Sequence, residues 1–271
     1  MDESAPINSA SSFNDEDRPH VITSFTLPSH NVWLTNVILA LNIILFVLLS
    51  IFSSNGIINA LLNGASIDTL IFFGAKYNDF IVRGQYWRLL TPIFLHIGIV
   101  HLLFNEYALA IFGREVENLF GTVRFAAIYL LTGMFGSLAS LTFTIAVSAG
   151  ASGAIFGIIG AMMAFLLRNR ETLGERGRQH FRTLLIMIGL NLFLGVTVPG
   201  IDNFGHMGGL FSGIILGAIL SPTYMIRQIP APPFLEVVER PPLLSSALVI
   251  LLALLLLIGA TMLVIPIAPV R

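Results

Sequence analysis

Four side chains stand out in this sequence because they are polar, uncharged and set among apolar neighbours: His101, Asn105, Ser152 and His206. His101 and Asn105 are four residues apart, which on a helix puts them on one face, one turn above the other, and both carry nitrogen donors. Ser152 lies in Gly150-Ala151-Ser152-Gly153 at the start of a helical pattern, where free N–H groups and the positive dipole end favour a developing oxyanion. His206 follows Gly205 and offers a base. A nucleophile, a base and two donors are the parts of an acyl-transfer site. Each also has a plainer reading: the His101/Asn105 pair as glue between membrane helices, Ser152 as a helix N-cap in a tight turn. The glycine spacing bears on the choice. Gly153, Gly157 and Gly160 form one ridge of small residues, Gly209, Gly213 and Gly217 form another, and His206 shares the face of the second. Such ridges let two membrane helices approach closely; if these two pack together, Ser152 and His206 meet at the same end of the pair.

Other chemistries are set aside by what the chain lacks. Without cysteine there are no disulfides, thiolate nucleophiles or sulfur-ligated metals. His96, five residues from His101, is expected to point elsewhere, and the run His101-Leu-Leu-Phe-Asn105-Glu106 holds no HExxH zinc pair, so neither a metal nor a cofactor is expected. A formal net charge of −1, from 14 basic and 15 acidic residues, argues against a nucleic-acid partner.

The elements that must position these groups follow from the scarcity of charge. Only 11% of the 271 residues are Asp, Glu, Lys or Arg and 55% are hydrophobic, with a mean hydropathy of +0.86; a soluble domain carries about a quarter charged residues. The chain is therefore read as an all-α polytopic membrane protein. A span needs roughly 20 apolar residues, and seven are expected: Leu34 to Phe52, about Ile97 to Phe112, two within the uncharged stretch Phe125 to Leu167 with a turn at Thr144 to Gly150, and one each after Arg182, Asp202 and Arg240. Basic residues accumulate in cytoplasmic loops. The cluster Arg168, Arg170, Arg176, Arg178 and Arg182 then sets the N-terminus inside and the C-terminus outside, with Ser152, His206, His101 and Asn105 all near the outer surface. Residues 1–31 read as a disordered polar tail, 32–222 as a six-helix core, 223–242 as a Pro-rich connector, and 243–271 as an appended seventh helix and short tail. The long first loop, with Tyr86, Trp87 and Arg88, is expected in the outer interface.

At this point the sequence resembles the rhomboid intramembrane serine proteases over roughly residues 33–220. The motifs are Trp87-Arg88, His101-Leu-Leu-Phe-Asn105, Gly113-Arg-Glu-Val-Glu117-Asn-Leu-Phe-Gly121, Gly150-Ala-Ser152-Gly153 and Gly205-His206-Met-Gly-Gly209-Leu-Phe-Ser-Gly213, in that order. The resemblance implies a six-helix rhomboid core plus one C-terminal helix (6+1), a Ser152/His206 dyad needing no acid, an oxyanion hole from Asn105, His101 and the Ser152 N–H, and Phe156 stacked on His206. Gly150, Gly153, Gly209, Gly213, Trp87 and Arg88 are its supporting residues. It also implies substrates that are single-span, membrane-anchored proteins, met within the lipid bilayer. A multi-pass protein of the cell (inner or plasma) membrane is the expected location; the oligomeric state is not specified.

Three residues depart from or tempt away from this pattern. Gly205 stands where many family members carry Ala. Asp202, one turn before His206, invites a triad, but its place at the start of a span makes it an N-cap. Glu106 is ionisable within a span and lies about 100° round the helix from Asn105; a protonated or Arg-paired structural carboxyl is expected. Two other classes stay open: a non-catalytic binder of membrane helices, which would lose Ser152 or His206, and a transporter or channel using Glu106, His101 and Asn105 as a pathway.

Overall fold

A computed structural model of the chain describes residues 29–228, 235–240 and 245–270. The polar N-terminal tail and the prolines at 230, 232, 233, 241 and 242 lie outside these residues, apart from the last three residues of the tail. The order is α1 (Leu34–Ile51), α2 (Ile57–Asn63), α3 (Ile67–Phe73), α4 (Asn78–Val82), two 3-10 turns (Tyr86–Leu89 and Thr91–Phe94), α5 (Ile99–Ala108), a π-turn (Leu109–Gly113), α6 (Arg114–Phe120), α7 (Thr122–Phe143), α8 (Ser152–Arg168), α9 (Arg170–Thr197), α10 (Asn203–Leu220), β1 (Thr223–Gln228), β2 (Leu235–Arg240) and α11 (Ser246–Val264) with a closing 3-10 turn (Ile265–Ile267). Among the described residues, five helices are long and apolar enough to cross a membrane: α1, α7, α9, α10 and α11 with its closing turn. The shorter, apolar α8 lies among them.

Helix α8 is the axis of the molecule: every residue from Ala154 to Leu166 is buried. It can be enclosed on all sides because its ridge of small residues meets the ridge of α10 backbone to backbone. A methyl group at Gly209, Gly213 or Gly217 would run into the backbone of Gly153, Gly157 or Ala161 respectively, and one at Gly160 would lie 2.5 Å from the Leu210 carbonyl oxygen. Helix α7 closes on the same pair, with Gly136 against the Gly205 carbonyl.

A second joint holds α1 to the end of the α5–α6 helix. The Glu117 carboxylate on α6 accepts from the backbone N–H groups of Trp33, Leu34 and Thr35 at 3.2, 2.9 and 2.8 Å and from the Thr35 hydroxyl at 2.7 Å. The first turn of a helix leaves just such N–H groups unpaired, so Glu117 caps α1 from a distant part of the chain. Between α5 and α6 the π-turn breaks regular helical bonding.

The structure adds to the sequence reading in three places. The expected second span is a helix interrupted by the π-turn, which apolar periodicity cannot reveal. The first loop is a folded assembly of three short helices and two 3-10 turns. The connector includes an antiparallel ribbon in which Thr223 pairs with Arg240 and Gln228 with Leu235. Asp202 is the N-cap of α10, its Oδ1 accepting from the Gly205 N–H at 2.9 Å.

Candidate active site

Ser152 is the first residue of α8 and His206 lies in the first turn of α10. Because the glycine ridges bring these helices into backbone contact, the two side chains meet: His206 Nε2 is 2.8 Å from Ser152 Oγ. His206 is buried, and Phe156, one turn beyond Ser152, lies flat against it with ring centroids 4.4 Å apart and planes 5° from parallel. No carboxylate holds the far side of the ring; His206 Nδ1 has no hydrogen-bond partner among the described residues.

Gly150 shapes the space in front of this pair. Its φ of +149° suits glycine, and its N–H donates to the Pro92 carbonyl of the first loop at 2.9 Å. A Cβ there would lie 2.6 Å from His101 Cε1, 2.9 Å from His101 Nε2 and 3.7 Å from Ser152 Oγ. The His101 ring and the serine oxygen therefore border the same small volume. Asn105, buried on α5, donates one amide proton from Nδ2 to the His101 carbonyl at 2.8 Å, leaving its second N–H for another acceptor. An electrophilic carbonyl seated over Gly150 would thus meet a hydroxyl already bonded to imidazole, the N-terminus of α8 and the His101 ring.

His96 does not point elsewhere. Its ring centroid is 5.4 Å from that of His101, because His96 precedes the helix, which begins at Ile99, and helical spacing does not apply to it. Trp87 and Arg88 brace the first loop: the Arg88 guanidinium donates to the Ile71 and Ala75 carbonyls at 2.7 and 3.1 Å and to Gln85 Oε1 at 2.7 Å, and stacks on Phe80 and Trp87. Sequence reasoning missed Asn42, Tyr129 and Lys76, polar groups whose partners lie on other elements. Asn42, in the middle of an apolar span, was the one with a visible signal.

A model of the Rhomboid domain matches residues 83–223, just over half of the 271-residue chain. The chain belongs to the rhomboid family. With several helices apolar enough to span a bilayer, this rhomboid is an integral multi-pass membrane protein. It is 45% identical over 190 residues to the rhomboid protease GluP of Bacillus subtilis, covering 69% of this chain and 34% of that one. It is 44% identical over 159 residues to the RHOMBOID-like protein 7 of Arabidopsis thaliana, covering 58% of this chain and 50% of the other. A further relative, the RHOMBOID-like protein 5 of the same plant, is 36% identical over 225 residues, covering 75% and 72%. The chain spans between a third and a half of the length of the first two.

Proposed function

We propose that this rhomboid is a serine-type intramembrane endopeptidase that hydrolyses a peptide bond in or near the transmembrane segment of single-span membrane proteins. The observation that carries the reading is the 2.8 Å contact between Ser152 Oγ and His206 Nε2 at the N-terminus of α8; the similarity to a protein named a rhomboid protease supports it. Ser152 gives its proton to neutral His206 and attacks the scissile carbonyl. The oxyanion is held by the Ser152 N–H, His101 and Asn105, and His206 then protonates the leaving amine. Water, activated in turn by His206, frees the acyl group. The Phe156 stack holds the imidazole where a triad would use a carboxylate. A helical substrate must unwind locally to lay its backbone over Gly150, which favours helix-breaking or small residues near the cut.

The proposed arrangement is six spans plus one, in the cell membrane, with the N-terminus cytoplasmic and the site opening to the outer side, as the arginine cluster around residues 168–182 favours. In the test, the protein is reconstituted with a single-span substrate and also treated with a fluorophosphonate probe. Ser152→Ala and His206→Ala are expected to insert normally and to lose cleavage, and Ser152→Ala to lose labelling. Cleavage by either variant overturns the assignment. Asn105→Ala is expected to lower kcat by about 10²-fold, as for other oxyanion donors.

A further inference from the structure

A carboxyl group within an apolar helix is costly unless its oxygens find donors. Glu106 follows Asn105 on α5, and its Oε1 accepts from Asn42 Nδ2 of α1 at 2.8 Å. Its Oε2 is buried without a hydrogen-bond partner among the described residues, and so is Oδ1 of the same Asn42. The Tyr129 hydroxyl lies beside the pair but gives its proton to the Ile93 carbonyl at 3.3 Å. The pair therefore has two acceptors in excess and lacks one donor. A carboxylic acid supplies it where a carboxylate cannot: the Glu106 O–H to Asn42 Oδ1 closes the pair with one bond in each direction.

Helix α5 needs such an anchor. Directly beyond it the π-turn Leu109–Gly113 interrupts the helical ladder, so the Glu117 joint at the start of α1 fixes α6 without fixing the turn that carries Asn105. Asn105 and Glu106 share one rigid helical turn, and any rotation of α5 moves both. We propose that Glu106, as a neutral carboxylic acid bonded to Asn42, is a positioning residue that sets the rotation of α5 and with it the aim of the Asn105 amide. The proposal rests on the reading of Asn105 as an oxyanion donor.

The experiment measures cleavage of a single-span substrate in proteoliposomes by Glu106→Leu, Glu106→Gln, Asn42→Leu and Asn105→Ala, and by Asn105→Ala combined with each of the two Leu variants. Glu106→Leu and Asn42→Leu are each expected to lower kcat about tenfold with KM held within about twofold. Glu106→Gln keeps a near-native kcat, because its amide replaces the O–H donor. Neither Leu variant lowers kcat further once Asn105 is Ala. Additive losses in the double variants overturn the proposal and leave the oxyanion reading standing; a native kcat for Asn105→Ala overturns both. A Glu106→Gln variant as slow as Glu106→Leu also overturns it. Should Glu106→Leu fail to fold, Asn42→Leu opens the same bond from α1, and its combination with Asn105→Ala decides.

Discussion

A single methyl group measures how tightly the residues of the site are set. Gly150→Ala would place a Cβ 2.6 Å from His101 Cε1 at a positive φ, displacing the imidazole from the volume it shares with Ser152. The expected outcome is a loss of about 10² or more in kcat, comparable to removing an oxyanion donor, with thermal stability lowered by about 1–3 kcal/mol for the strained backbone; a native kcat would contradict the role given to that volume. Ser152, His206, His101 and Asn105 were legible in the sequence because a polar group in an apolar span announces itself. Glu106 announced itself in the same way, as a protonated or Arg-paired carboxyl, but nothing in the sequence named its partner. Its partner Asn42 lies on another helix, and pairing between distant elements leaves no periodic trace. His96 is the converse case: it stands outside the helix, which begins at Ile99, so helical spacing does not govern its direction.

At the scale of elements, the close approach of α8 and α10 brings Ser152 and His206 together. Gly213→Val would drive a side chain into the Gly157 backbone, and is expected to lower the melting temperature in detergent and abolish cleavage together. Gly259→Val on α11, whose Cβ would meet nothing within 4 Å, is expected to change neither; equal damage from both would remove the special standing of the ridge. This joint was legible because small residues at three- and four-residue intervals share a helix face. The π-turn was not, since it changes the hydrogen-bond register without changing composition. The folded first loop and the β1–β2 ribbon were also hidden: their short pieces are held by contacts with one another, those of the loop through Arg88 to the Ile71 and Ala75 carbonyls.

Over the whole molecule, Lys76 gathers three parts of the chain. It is fully buried, and its Nζ donates to Asn78 Oδ1 at 3.0 Å and to the Thr144 carbonyl at 3.2 Å. Asn78 in turn donates to the Pro269 carbonyl beyond α11 at 2.6 Å. Burial pushes the Lys76 ammonium down to about 8, with the charge of Asp202 opposing in part, against about 10.4 in an unfolded chain. Between those values the unfolded state binds a proton that the folded state has released, so stability contributed by this group rises as pH climbs from 8 towards 10. Melting curves in detergent should show that rise in the native protein and a flatter profile in Lys76→Met; an unchanged slope in the variant would exclude Lys76 as its source.

The same lysine forms an isolated β-bridge with Ser148, N–H to carbonyl at 2.9 and 3.1 Å in the two directions, four residues ahead of Ser152. Two amides that protect each other can exchange with deuterium only when the bridge opens, and so share one opening free energy. A peptide seated over Gly150 and stiffening the chain around Ser148 would then register as slowed exchange at Lys76, in a loop it need not touch.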